Sequence, residues 1–104
     1  MFKKIYVADS FLKRLTGLLT MPVLSADEAL LITKCNSIHT FFMKYSIDAI
    51  FMDKDFNVLG VEENIEPGQI SKIYPHGVYV LETAAGSGNV KKSENLGWLG
   101  EYVK

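Results

Sequence analysis

Five side chains in this sequence have the chemistry to act on a ligand or hold one: Cys35, His39, Asp48, His76 and Glu82. Cys35 and His39 suggest a nucleophile and its base. On one straight strand, however, four residues at about 3.3 Å each would set them roughly 13 Å apart, beyond hydrogen-bond reach. They meet only if Cys35-Asn36-Ser37 turns or coils, and a lone cysteine most often behaves as a small buried hydrophobe. No pair has the spacing of a zinc knuckle or a helical histidine motif, so neither a metal nor a cofactor is expected. His39 fits a core or pocket histidine bonded to a backbone carbonyl.

Asp48 is the most informative single residue. It sits between Ile47 and Ala49-Ile50-Phe51-Met52, so its carboxylate must accept hydrogen bonds or meet a cation if it lies inside. In the structural reading its partners are backbone amides of a turn, or Lys44. In the functional reading it joins His39 and Glu82 at the mouth of an apolar pocket. The structural reading carries more weight, because carboxylates are also held by purely structural partners. Lys44 and Tyr45 read as rim residues and Trp98 as a lid on the core.

The elements that position these groups follow from pattern. Phe2 to Ala8 is a strand, with β-formers at Ile5, Tyr6 and Val7. Asp9 or Ser10 can cap a short helix whose apolar face is Phe11, Leu12, Leu15, Leu18 and Leu19, and Gly17 suits its end. Met21-Pro22 breaks any continuation. Ala29 to Thr33 is a second strand. Between Cys35 and Tyr45 alternate residues divide over two strand faces, with Cys35, Ser37, His39, Phe41, Met43 and Tyr45 together. The chain reverses near Lys44 to Ser46, and Ala49 to Met52, apolar on both faces, belongs at the centre of a sheet.

Asp53 to Asn57 reads as a hairpin turn returning through Val58 to Glu62, with Gly60 a candidate bulge. Pro67-Gly68 is a turn. Val78 to Glu82 is a strand, Asn89 to Glu94 one or two helical turns, and Leu96 to Val103 a last strand. Five or six short strands with an early helix predict a mainly β fold, a small antiparallel, partly open barrel or rolled sheet with one or two short helices.

One hundred and four residues make a single domain spanning the chain, and 48% hydrophobic content supplies its core. Eleven basic and twelve acidic side chains leave a net charge of −1, which disfavours nucleic acid as a partner, although Lys91-Lys92 could form a local patch. No apolar stretch approaches the length of a membrane span, and no signal-peptide pattern follows Met1. The one cysteine forms no internal disulfide, which fits a reducing compartment; the expectation is a cytoplasmic protein.

Three stretches carry a resemblance to a known family. Ala8-Asp9 with Arg14 and Gly17-Leu18 resembles an opening A-D-x(4)-R-x-x-G-L pattern. Phe42-Met43-Lys44, Ile47-Asp48 and Phe51-Met52-Asp53 are similar to a central F-W-M-K…L-D-I-x-F-I-D run. Val80-Leu81-Glu82 with Ala84-Ala85-Gly86 is similar to V-L-E-L-P-A-G. Together they resemble DUF192, an uncharacterised domain of about this length, and the Cys35…Ile38-His39-Thr40 lead-in looks like a short branch of it. Phe42 and Thr83 stand where that pattern commonly has tryptophan and proline. The resemblance implies a compact, mostly β fold and no established activity.

The leading expectation is a small non-enzymatic binding or accessory domain for a small molecule or protein, its surface lined by His39, Phe41, Met43, Lys44, Asp48 and Glu82. The alternatives are a hydrolase or transferase using Asp48, His39 or Cys35, and a protein-interaction module exposing an edge or apolar patch at Val78 to Leu81.

Overall fold

The computed structural model describes residues 2–9, 23–41 and 43–103. The helix expected over Phe11 to Leu19 lies outside the described residues, as does Phe42. Five strands form one sheet: β1 (Lys4–Ala8), β2 (Glu28–Thr33), β3 (Ile47–Met52), β4 (Val58–Ile65) and β5 (Tyr79–Ala84). Their order is β1-β2-β5-β3-β4, so β5 is the middle strand and β1 and β4 are the edges of an open sheet.

The fold is mainly β, as the pattern predicts, but the pairing is mixed. β1 runs parallel to β2, while β2–β5, β5–β3 and β3–β4 are antiparallel. A parallel neighbour requires a crossover rather than a tight turn, and the chain between Ala8 and Glu28 makes that connection. Because β5 is central, Val80 and Leu81 are fully buried, so the edge that an interaction module would have shown at Val78 to Leu81 is not there.

Both faces of the sheet are covered, which explains the double-sided apolar run in β3. One face carries Leu30, Ile32, Ile47, Ala49, Phe51 and Val80, with Tyr6, Cys35, Met43, Tyr45 and Tyr74 packed against them. The other carries Ala29, Leu31, Ile50, Met52, Val58 and Leu81, with Phe56, Val90, Leu96 and Leu99. These are called the first and second faces below.

The predicted hairpin turn between β3 and β4 is present. The Asp53 carboxylate accepts from the backbone N–H of Asp55 at 2.9 Å and of Asn57 at 3.0 Å, closing a local ring of the kind aspartate favours in turns. Gly68 has φ +84, the left-handed geometry that Pro67-Gly68 anticipates. The extra residue expected near Gly60 also appears: Phe51 opposes Gly60 and Met52 opposes Val58, leaving Leu59 over.

Three local expectations are corrected. Between Lys34 and Ser46 the described residues are irregular rather than a strand, with a single bridge among them, from His39 to Ile70. Asn89 to Glu94 is not helical: Val58 N–H donates to Glu94 O at 2.7 Å and Ser93 N–H to Val58 O at 2.8 Å, so the segment covers the outer edge of β4. Gly97–Tyr102 is a 3₁₀ helix, not a strand. Leu96 and Leu99, three apart, turn to the same side of it and are buried, whereas Trp98 is 42% exposed and is not a core lid.

Candidate functional site

Asp48 resolves in favour of its structural reading. Its Oδ1 accepts the backbone N–H of Asn64 at 2.8 Å, and its Oδ2 accepts those of Gly86 at 3.0 Å and Gly88 at 3.1 Å. The first of these belongs to a bulge. Ile47 opposes Ile65 and Ala49 opposes Glu62, so Glu63 and Asn64 together oppose Asp48. Asn64 takes a positive φ of 51° and turns its N–H onto the carboxylate. The other two amides belong to the turn after β5, where Gly86 has φ +88. Asp48 therefore ties the β4 bulge to the β5 turn, and Lys44, which is exposed, is not its partner.

The register then separates Asp48 from Glu82. Asp48 pairs with Thr83 and lies on the second face; Glu82 pairs with Ala49 on one side and Leu30 on the other, on the first face. His39 is exposed, stacks on Phe41 with ring centroids 5.0 Å apart, and its Nδ1 accepts the Phe41 N–H at 3.3 Å. The three residues expected at one pocket mouth thus occupy three different surroundings. Of the six residues expected to line a surface, the structure brings Met43 and Glu82 to the first face, stacks His39 on Phe41 at the surface, exposes Lys44 and places Asp48 behind the sheet.

Cys35 and His39 do not form a nucleophile–base arrangement. The Cys35 thiol donates to the Ser37 carbonyl at 3.0 Å and packs against the first face, while His39 is turned to solvent. Among the described residues no three His, Cys, Asp or Glu side chains gather as they would around a metal ion.

Glu82 has the most unusual surroundings. Only 5% of it is exposed, its cross-strand neighbours Leu30 and Ala49 are buried apolar residues, and its carboxyl has no hydrogen-bond or ion partner among the described residues. Burial alone pushes its acid dissociation up to about 7. The Tyr45 hydroxyl, on the same face, is buried with no hydrogen-bond partner among the described residues. Burial, and then the nearby charge of Glu82, raises the Tyr45 phenol above its ordinary value. Two polar groups without hydrogen-bond partners among the described residues therefore share the first face, close enough for the charge of one to act on the other. Tyr45 reads as a rim residue in the sequence because nothing local distinguishes a buried phenol from an exposed one.

Two residues without an assigned role in the sequence shape the same side of the molecule. Thr40, fully buried, holds the Pro67-Gly68 turn: its Oγ1 donates to Glu66 O at 2.6 Å and accepts the Gln69 N–H at 2.9 Å. Tyr74 stacks on Phe51 at 4.2 Å between centroids and donates to Glu62 at 2.9 Å. Burial and then the Glu62 carboxylate push its phenol up to about 12. Tyr74 also borders an open groove of about 510 Å³ whose charges, Glu62, Glu63, Lys72, Lys91 and Lys92, are mixed. The expected Lys91-Lys92 patch is offset there by carboxylates.

Comparison with known proteins places the chain. Residues 2–94 match the profile of DUF192, described as an uncharacterized ACR. UPF0127 protein PH1112 of Pyrococcus horikoshii is 37% identical over 86 residues, covering 80% of this chain and 74% of that protein. A UPF0127 protein of Thermococcus sibiricus is 32% identical over 87 residues, covering 80% of this chain and 56% of its own length. Two crystal structures share the fold. One, from Sinorhizobium meliloti and named as a proposed transcription regulator, has a TM-score of 0.76 at 20% identity over 88% of this chain and 78% of that one. The other, a protein of unknown function from Novosphingobium aromaticivorans, has a TM-score of 0.74 at 18% identity over 88% and 71%. At such identities the likeness is one of fold. Among the described residues no helix is long and apolar enough to cross a membrane. The family match over most of the chain and the curated relatives agree with the three sequence stretches noted at the outset: the chain belongs to the DUF192 family.

Proposed function

We propose that this domain is a non-enzymatic ligand-binding protein whose pocket lies on the first face of the sheet, with Glu82 as its polar centre and Tyr45 and Met43 beside it. One observation carries the reading: a carboxyl group is 5% exposed, flanked by Leu30 and Ala49, and has no partner among the described residues. Buried polar groups in folded proteins are nearly always satisfied, and an unpartnered buried charge costs several kcal/mol. A group kept in that condition is what a ligand would complete, and polar atoms converging in apolar surroundings are the usual make-up of a small-molecule site.

The enzymatic alternative has less support. Its three candidate residues do not converge, and the carboxylate among them, Asp48, is committed to three backbone amides. The single thiol is compatible with a reducing compartment, and we place the protein in the cytoplasm.

Native mass spectrometry of the protein purified from its own host tests the proposal. A retained small molecule is expected with the wild type and its loss with Glu82→Gln. Retention unaffected by Glu82→Gln would move the site elsewhere, and apo protein in both preparations would count against a tight ligand.

A further inference from the structure

We infer that the ligand completing the Glu82 site is an organic cation, a primary ammonium carried on an apolar body. The inference rests on the binding reading above and adds the chemical class.

The groups present define the complement. The ionised Glu82 carboxylate only accepts hydrogen bonds, and the Tyr45 oxygen on the same face, without a partner among the described residues, can accept one as well. A head group made of donors suits both, and an ammonium offers three N–H donors and no acceptor. An anionic ligand would face the carboxylate across an apolar gap and be repelled. A metal ion is the other cation to weigh. It needs several coordinating side chains, and no such group of three forms among the described residues. The apolar residues of the first face suit an organic body: Met43, packed against that face, offers polarisable sulfur, and Tyr45 a ring whose face attracts a cation.

No described residue forms an ion pair with Glu82. The other titratable groups on this face are Lys4, Tyr6, Glu28, Cys35, Tyr45 and Tyr74. Glu28 accepts from the Tyr6 hydroxyl at 3.1 Å and from Ser25, and Tyr74 donates to Glu62, so the carboxylates on this side have their own partners; the cation on β1, Lys4, is exposed and lies over the Tyr6 ring, 4.8 Å from its centroid. An ammonium ligand pairs with ionised Glu82, so its binding tightens as pH rises through about 7. A neutral ligand that accepts from the protonated acid would show the opposite slope.

The test titrates cyclohexylammonium chloride, and cyclohexanol as its neutral counterpart, into the full chain while following the backbone amide resonances of Leu30, Ala49 and Glu82. Saturable shifts with the ammonium at pH 8 are expected, at least tenfold weaker at pH 5.5 and at least tenfold weaker in Glu82→Gln at pH 8. Tyr45→Phe should weaken binding severalfold, and His39→Ala should leave it unchanged. If cyclohexanol binds as well as the ammonium, or if Glu82→Gln binds the ammonium equally, the cation class is overturned while a binding site on this face stands. If neither probe moves these resonances and Glu82→Leu gives a folded protein that is also silent, both the cation class and the binding reading fall.

Discussion

Asp48 and Glu82 lie on neighbouring strands, one register step apart, on opposite faces of the same sheet: Asp48 pairs with Thr83 and Ala49 with Glu82. One carboxylate accepts three backbone amides, while the other has no partner among the described residues. Their chemistry diverges for that reason alone.

Asp48→Ala should be strongly destabilising. It would leave the amides of Asn64, Gly86 and Gly88 without their acceptor, and each buried unsatisfied donor costs about 1–3 kcal/mol. We expect a loss of about 3 kcal/mol or more in urea unfolding. Asp48→Asn should recover only part of it, because an amide nitrogen would face donors at one of the two oxygen positions. A loss under about 1 kcal/mol for Asp48→Ala would contradict the clamp.

Glu82 should make the protein less stable as pH rises. Its folded-state dissociation near 7 lies above the ordinary 4.5 of the unfolded chain, so the native state holds the proton more tightly. Its contribution is fully present below about pH 4.5, declines between 4.5 and 7, and is gone above about 7. A shift of this size corresponds to a swing of order 3 kcal/mol. Chemical denaturation of wild type and Glu82→Gln at pH 4.5 and pH 8 isolates it: the variant should lack this decline, and parallel pH profiles would refute the assignment.

Gly60→Ala should cost stability through Tyr74. A Cβ at Gly60 would meet Tyr74 Cε1 at 2.6 Å, and the ring cannot easily move, being stacked on Phe51 and bonded to Glu62. Overpacking of this kind costs about 1–3 kcal/mol. In a Tyr74→Ala background the same substitution should be nearly neutral, and the double-mutant cycle measures the difference. Simple additivity would mean that the strain lies elsewhere.

Removing the buried Tyr45 hydroxyl should not hurt the fold. With no partner for it among the described residues, Tyr45→Phe should be neutral or stabilising by up to about 1 kcal/mol in thermal or urea unfolding. A clear destabilisation would reveal a hydrogen bond that the hydroxyl makes within the chain.

Thr40→Val should loosen one turn selectively. It removes the hydroxyl that bonds Glu66 O and the Gln69 N–H while keeping the shape of the side chain. A loss of about 1–3 kcal/mol is expected, with faster hydrogen exchange at Gln69 than at the β5 amides. Unchanged exchange at Gln69 would argue against this role.

By itself the sequence determined the fold class, the family and the strands whose apolar content leaves no choice. Ala49 to Met52 had to be central because both of its faces are apolar, and Asp53 to Asn57 had to turn because aspartate and asparagine close such loops on themselves. Alternation from Cys35 to Tyr45 misled for the converse reason. Period two describes which way side chains would point on a strand, but no neighbouring strand was available there to hold one, so the segment instead bonds to residues 66–74. Leu96 to Val103 shows the same limit: its apolar residues suited a strand, and the three-residue spacing of Leu96 and Leu99 became decisive only against the buried second face.

Only the tertiary structure decided what each carboxylate does. Asp48 and Glu82 both sit inside apolar runs, and burial is therefore legible for each. Which one finds donors depends on a bulge in β4 and a glycine turn after β5, both brought to Asp48 across strand pairs that link residues 16 to 40 positions apart. Glu82, facing Leu30 and Ala49 across the middle of the sheet, meets no such donors among the described residues. Hydrogen-bond partners are set by long-range register, which no local pattern records.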